Sequence, residues 1–267
     1  MEDRLSVKIE GGIADVRLAR AEKLNAFDDA MFAALVAMGE RLKEEKNVRA
    51  VVLSGEGRAF SAGLDMDNFA KMASGERRGG KGIIDGVRTA GGANRAQQAV
   101  MVWREVPVPV IAAVHGVAFG AGFQLALGAD LRFVAPSAKL AVMEMKWGLV
   151  PDMGGMVLLR SLVRDDIARE LTYTARTFDG EEALRLGLAT RVCADPRAEA
   201  LQFAAEIAGK NPCAIRADKR LLNLVADADQ KTILQAEAEE QMALIGSPNQ
   251  IEAVAANMQK RAANFAD

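Results

Sequence analysis

Glu144 and Asp152 are the residues best placed for proton chemistry, eight positions apart on either side of a turn marked by Gly148 and Pro151. If the segment opening at Lys139 is a strand, Leu140 and Val142 share a face with Glu144, and Met143, Met145 and Trp147 flank it on the other. A carboxylate in apolar company loses solvation, which raises its pKa toward a value useful for proton transfer at neutral pH. Two carboxylates beside one tight turn can face one cavity. The competing use is structural: Glu144 pairs with a nearby Lys or Arg, and Asp152 caps the helix that Gly154 and Gly155 open. The chain has a single histidine, His115. That excludes multi-histidine zinc centres and leaves one candidate for a Ser-His or Cys-His pair, which no G-x-S-x-G motif accompanies. His115 ends an apolar run from Val110 to Val114 and reads as a structural group, so acid–base work falls to carboxylates.

Two other segments, Phe60 to Asp65 and Gly116 to Gly122, place small residues between a strand and a helical stretch. Small side chains let another molecule approach the main chain, and the N–H groups of a helix's first turn are unpaired. Two such groups aimed at one oxygen make an oxyanion hole. The alternative for each turn is tight packing of a strand on a helix.

The elements that must position these groups alternate along the chain. Leu5, Val7 and Ile9, a Gly11-Gly12 turn, then Ile13, Val16 and Leu18 predict a β-hairpin. Asp28 is an expected N-cap for a helix whose apolar face is Met31, Leu35, Met38 and Leu42. Buried strands are expected at Val48 to Leu53, Val108 to Val114, Leu131 to Val134 and Leu140 to Met145, with a helix beginning near Phe123. Strands alternating with helices predict an α/β core over residues 1–196. Beyond it, residues 197–267 read as three helical stretches; the last has Ile251, Val254, Met258 and Ala262 on one face, to pack on the core or on another subunit.

The stretch from Gly75 to Gly92 reads as a surface loop. Gly75, Gly80 and Lys81 match the start of a phosphate-binding loop, but Gly82 stands where Ser or Thr is needed. Gly120-Ala121-Gly122 fails as a dinucleotide fingerprint because its third glycine falls on Leu125. A net charge of -2 from 34 basic and 36 acidic side chains advertises no nucleic-acid partner. No apolar run reaches a membrane span, the first ten residues lack a signal peptide's blocks, and Cys193 and Cys213 form no metal or disulfide pattern. A cytoplasmic location is the expectation.

Taken together, Lys23-Leu24-Asn25-Ala26, Gly57 to Asp65, Ala113 to Gly122, Glu144 to Gly155 and Lys260 to Phe265 make the chain similar, over essentially its full length, to the crotonase superfamily of enoyl-CoA hydratases and isomerases. The resemblance implies a spiral of ββα units and a C-terminal helical trimerisation region, as a homotrimer or homohexamer. It implies an acyl-CoA substrate of the fatty-acid type, with coenzyme A as part of the substrate and no separate cofactor or metal. By position, the N–H groups of Ala62 and Ala121 would hold the thioester oxygen. Lys23, Leu24 and Ala26, the run Ser61, Ala62, Gly63, Leu64 and Asp65, and Gly120 with Gln124 would line the substrate site. Family hydratases carry a glutamate where this chain has Gln124, and an amide is neither acid nor base near neutral pH. The pair Glu144 and Asp152 resembles that of dienoyl-CoA isomerases, although those enzymes have an aspartate at the Gln124 position. The resemblance favours double-bond isomerisation. It leaves hydration (a lyase reaction), substitution or hydrolysis with Asp152 as nucleophile, and catalytically silent CoA-ester binding as alternatives.

Overall fold

The structure, a computed structural model, describes residues 3–76, 84 and 86–267. β1 (Leu5–Glu10) and β2 (Ile13–Leu18) form the expected antiparallel hairpin, and the Asp28 carboxylate accepts the Met31 N–H to open α1 (Asp29–Glu44). β3 (Ala50–Gly55) begins two residues later than its apolar run, because the Val48 N–H bonds Glu45 in the turn that ends α1. After α2 (Met66–Ala73) and α3 (Arg95–Glu105), two strand–strand–helix passes follow. The first is β4 (Val110–Val114), β5 (Val117–Phe119) and α4 (Ala121–Gly128). The second is β6 (Leu131–Val134) and β7 (Lys139–Ala141), then α5 (Gly155–Leu159) and α6 (Asp165–Thr174). β8 (Phe178–Asp179), α7 (Gly180–Leu186) and β9 (Arg191–Val192) complete two sheets, ordered β1-β2-β3-β4-β6-β9 and β5-β7-β8. This is the expected α/β spiral of ββα units. Part of the Gly75 to Gly92 stretch, with Gly80, Lys81 and Gly82 of the phosphate-loop comparison, lies outside the described residues.

The period of two along β3 sorts its side chains between two cores. Val51 and Leu53 pack with Leu35, Met38 and Trp103 from α1 and α3. Ala50 and Val52 join Ile111, Ala113 and Phe133 under α8 (Pro196–Ala208), whose Ala200 and Ala204 let the helix approach the sheet closely. α8 thus covers the second face of the six-stranded sheet, although it lies almost wholly in the 197–267 region.

Four helices, not three, follow β9: α8, α9 (Pro212–Leu224), α10 (Gln230–Leu244) and α11 (Pro248–Gln259). Three begin with proline behind a capping Asp195, Asn211 or Ser247; proline lacks only an N–H that would be orphaned there anyway. The buried Lys219 ammonium ties α9 to the core through the carbonyls of Trp103 (3.2 Å) and Val108 (2.9 Å) and Asp130 (2.7 Å). On α11, Ile251, Val254 and Met258 are exposed on the protomer.

The strand expected to carry Glu144 stops at Ala141. Met143 turns into the right-handed helical region, and Glu144–Trp147 forms a 3₁₀ turn closed by Gly148 at φ 68°. Glu144 therefore does not share a strand face with Leu140 and Val142.

Candidate active site

Gln124, on the buried α4, organises the carboxylate segment. Its carbonyl oxygen accepts the N–H groups of Met153 (2.9 Å) and Gly155 (3.0 Å), and its amide donates to Glu144 Oε1 at 2.6 Å. One side chain thereby fixes both ends of the turn between Glu144 and Asp152. Glu144 Oε2 is buried with no hydrogen-bond partner among the described residues.

Neither structural use of the two acids is realised among the described residues. Glu144 makes no ion pair, and α5 is capped by Gly154 with no side-chain bond from Asp152. Burial pushes the Glu144 carboxyl above the usual carboxylate range; hydrogen bonds from the backbone and from Gln124 oppose this, and the negative charge of Asp152 adds to it. Asp152 keeps accessible surface, yet it is recessed enough that lost hydration raises its carboxyl as well. Two acids whose carboxyls are raised by burial, with no ion pair to hold them ionised among the described residues, are suited to exchanging protons.

The turn beside them differs from the expectation at one donor. The Ala62 N–H is consumed by Leu24 O at 2.9 Å and cannot face a substrate. Among the described residues, the Leu64 N–H makes no backbone hydrogen bond, nor does the Ala121 N–H that opens α4 across from it. Gly63 causes the change: its φ of +89° breaks the extended alternation, so the N–H groups of Ala62 and Leu64 do not point the same way. A Cβ on Gly63 would lie 2.5 Å from Phe119 O and 3.6 Å from Ala121 N, which places this turn directly against the mouth of α4. At Gly120, a Cβ would come within 3.2 Å of Glu144 Oε1, so the second turn abuts the carboxylate.

Several residues expected to line the site instead build its frame. The Ser61 hydroxyl is buried, donating to Asn25 O (2.8 Å) and accepting from Gly63 N–H (3.2 Å). Asp65 pairs with Arg20 and caps α2 through Asp67 N–H at 3.0 Å. Ala26 is buried, and its carbonyl accepts from Arg20 at 3.0 Å. Lys23 is exposed, while Leu24, Ala62 and Leu64 are half-buried beside the turn.

His115 bonds Gly57 O at 3.0 Å through Nε2, the structural role expected of it. It borders a cavity of about 650 Å³ with Arg17, Glu56 and Arg197, apart from Glu144 and Asp152. Among the described residues no group of three or more His, Cys, Asp or Glu could hold a metal, and no helix is long and apolar enough to cross a membrane.

The enoyl-CoA hydratase/isomerase family model matches residues 8–267. The mitochondrial Delta(3,5)-Delta(2,4)-dienoyl-CoA isomerase of Mus musculus is 31% identical over 262 residues, covering 93% of this chain and 77% of that protein. The mitochondrial methylglutaconyl-CoA hydratase of the same species is 30% identical over 257 residues, covering 94% of this chain and 78% of that protein. Among solved structures, an enoyl-CoA hydratase from Bacillus anthracis superposes with a TM-score of 0.87 at 27% identity, over 98% of each chain.

Proposed function

The chain belongs to the enoyl-CoA hydratase/isomerase family, an enzyme family with the crotonase fold, and on that premise we propose that it isomerises the double bonds of a conjugated acyl-CoA with Glu144 and Asp152 as its proton carriers. The observation that carries this reading is the direct 2.6 Å bond from Gln124 to Glu144. With its carbonyl engaged by two N–H groups and its amide neutral, Gln124 cannot act as a second acid or base beside Glu144. Asp152 supplies the second titratable group instead.

The thioester oxygen sits at the N–H groups of Leu64 and Ala121. Glu144, against Gly120, removes a proton from the carbon next to the carbonyl. The electron pair moves into the conjugated system, negative charge builds on the oxygen, and the two N–H groups stabilise that charge. Removing one donor of this kind raises the barrier by about 2.7 to 4 kcal/mol. Asp152, farther along the chain and more accessible, returns a proton at the remote end. The net change moves double bonds with no atom gained or lost, and coenzyme A enters only as part of the substrate.

Ultraviolet absorbance with 3,5-dienoyl-CoA and 2-enoyl-CoA tests the assignment: growth of 2,4-dienoyl absorbance supports isomerisation, and loss of enoyl absorbance alone supports hydration. Activity retained in both Glu144→Gln and Asp152→Asn sinks the role of the pair. A homotrimer or paired trimer is part of the proposal, supported by the apolar surface of α10 and α11, as is a reducing, cytoplasmic setting, which two free thiols suit.

A further inference from the structure

Phe69 and Trp147 come from different elements and stack, with ring centroids 4.3 Å apart and planes inclined by 23°. Trp147 closes the 3₁₀ turn that Glu144 opens. Side chains three apart on a 3₁₀ helix eclipse one another, so indole and carboxylate leave the turn on the same side. Phe69 lies on α2, five residues after Leu64. The stack therefore joins the segment bearing one unpaired N–H to the segment bearing Glu144, beside the space where a thioester and its first carbons would sit. Neither ring belongs to the two hydrophobic cores, and Trp147 remains 41% exposed, so the fold does not need the pair for burial. Lys146 Nζ, 5.7 Å from the indole centroid, further restrains the ring.

We propose that the Phe69–Trp147 stack is the wall against which the acyl chain lies beyond its thioester, and that it selects planar, conjugated acyl groups over saturated ones of equal length. The proposal rests on the placement of the thioester between Leu64, Ala121 and Glu144 argued above. A conjugated chain is flat and offers a π face that can lie along an aromatic ring. A saturated chain of the same carbon count meets that ring only through dispersion and loses rotamer freedom in doing so.

Calorimetric titration of the full chain with 2,4-hexadienoyl-CoA, hexanoyl-CoA and free CoA tests the wall. The wild type is expected to bind the dienoyl ester about three- to tenfold more tightly than the saturated one, the scale of an aromatic contact. Phe69→Leu and Trp147→Leu should each bring that ratio toward one. No preference in the wild type, or an unchanged ratio in both variants, overturns the proposal. So does equal weakening of all three ligands, which signals a structural role. Failure of the isomerase reading looks different: a dienoyl preference that Trp147→Leu abolishes, in a protein that turns over neither dienoyl nor enoyl esters. A chain that binds no acyl-CoA overturns both.

Discussion

Gln124 and Glu144 meet side chain to side chain at 2.6 Å, while the Gln124 carbonyl holds the N–H groups of Met153 and Gly155. A neutral amide thus spans the oxyanion-side helix and both ends of the carboxylate turn.

Replacing Gln124 with Ala removes the acceptor for two buried N–H groups. An unsatisfied buried donor costs about 1–3 kcal/mol, so urea unfolding should show a loss of that order or more, and kcat should fall as the turn loosens. Gln124→Glu keeps the acceptor but sets a second negative charge against Glu144. The acidic limb of kcat/KM should then move to higher pH; an unmoved limb excludes Glu144 as the titrating base.

Wild-type activity should rise with pH above the range of an ordinary carboxylate as the buried Glu144 ionises, and fall again as Asp152, which must hold the proton it returns, ionises in turn. A pH profile of kcat/KM with an ordinary carboxylate midpoint contradicts the site's electrostatics.

The same shift has a signed effect on stability. Glu144 binds its proton more tightly folded than unfolded, so below the ordinary carboxyl pKa it adds no cost. As pH rises toward its folded value the unfolded state ionises first and stability falls, with the full cost present above it. Glu144→Gln should therefore unfold at higher urea than wild type at about pH 7 and match it at about pH 4. A variant that matches wild type at about pH 4 but is less stable at about pH 7 shows that the ionised carboxylate is needed for the fold.

Proton bookkeeping separates the two acids. In deuterated buffer, Asp152→Asn should still exchange hydrogen at the carbon next to the thioester while failing to form the isomerised product, whereas Glu144→Gln should lose both. The reverse pattern, read by mass spectrometry, exchanges their roles.

Lys219→Met leaves Asp130 and two carbonyls without their buried cation. Loss of one partner of such a pair costs about 3–5 kcal/mol, so the urea midpoint should fall steeply. On α11, Ile251→Asp and Met258→Asp should instead reduce the oligomer seen by sedimentation and leave the protomer folded; an unchanged sedimentation coefficient removes that face from the interface.

The chemically informative residues were legible in the one-dimensional chain: a lone histidine, two acids around a Gly–Pro turn, small residues between strand and helix, and hairpin and helix periodicities that recur in the structure. These signals are local, because they depend on side-chain type and on spacing within one element. Sequence periodicity placed Glu144 on a strand, and position by resemblance placed the oxyanion donor at Ala62. Both failed for the same reason. The direction of a backbone N–H and the face of a side chain depend on one backbone angle at one residue, ψ of Met143 (-8°) in one case and φ of Gly63 (89°) in the other. That angle is set by what packs against it: Phe119 leaves no room for a side chain on Gly63, and Gln124, from another helix, holds the turn that follows Glu144. The sequence determined which groups are available for chemistry; only the tertiary structure decided which of them are already bonded to the protein and which are left for a substrate.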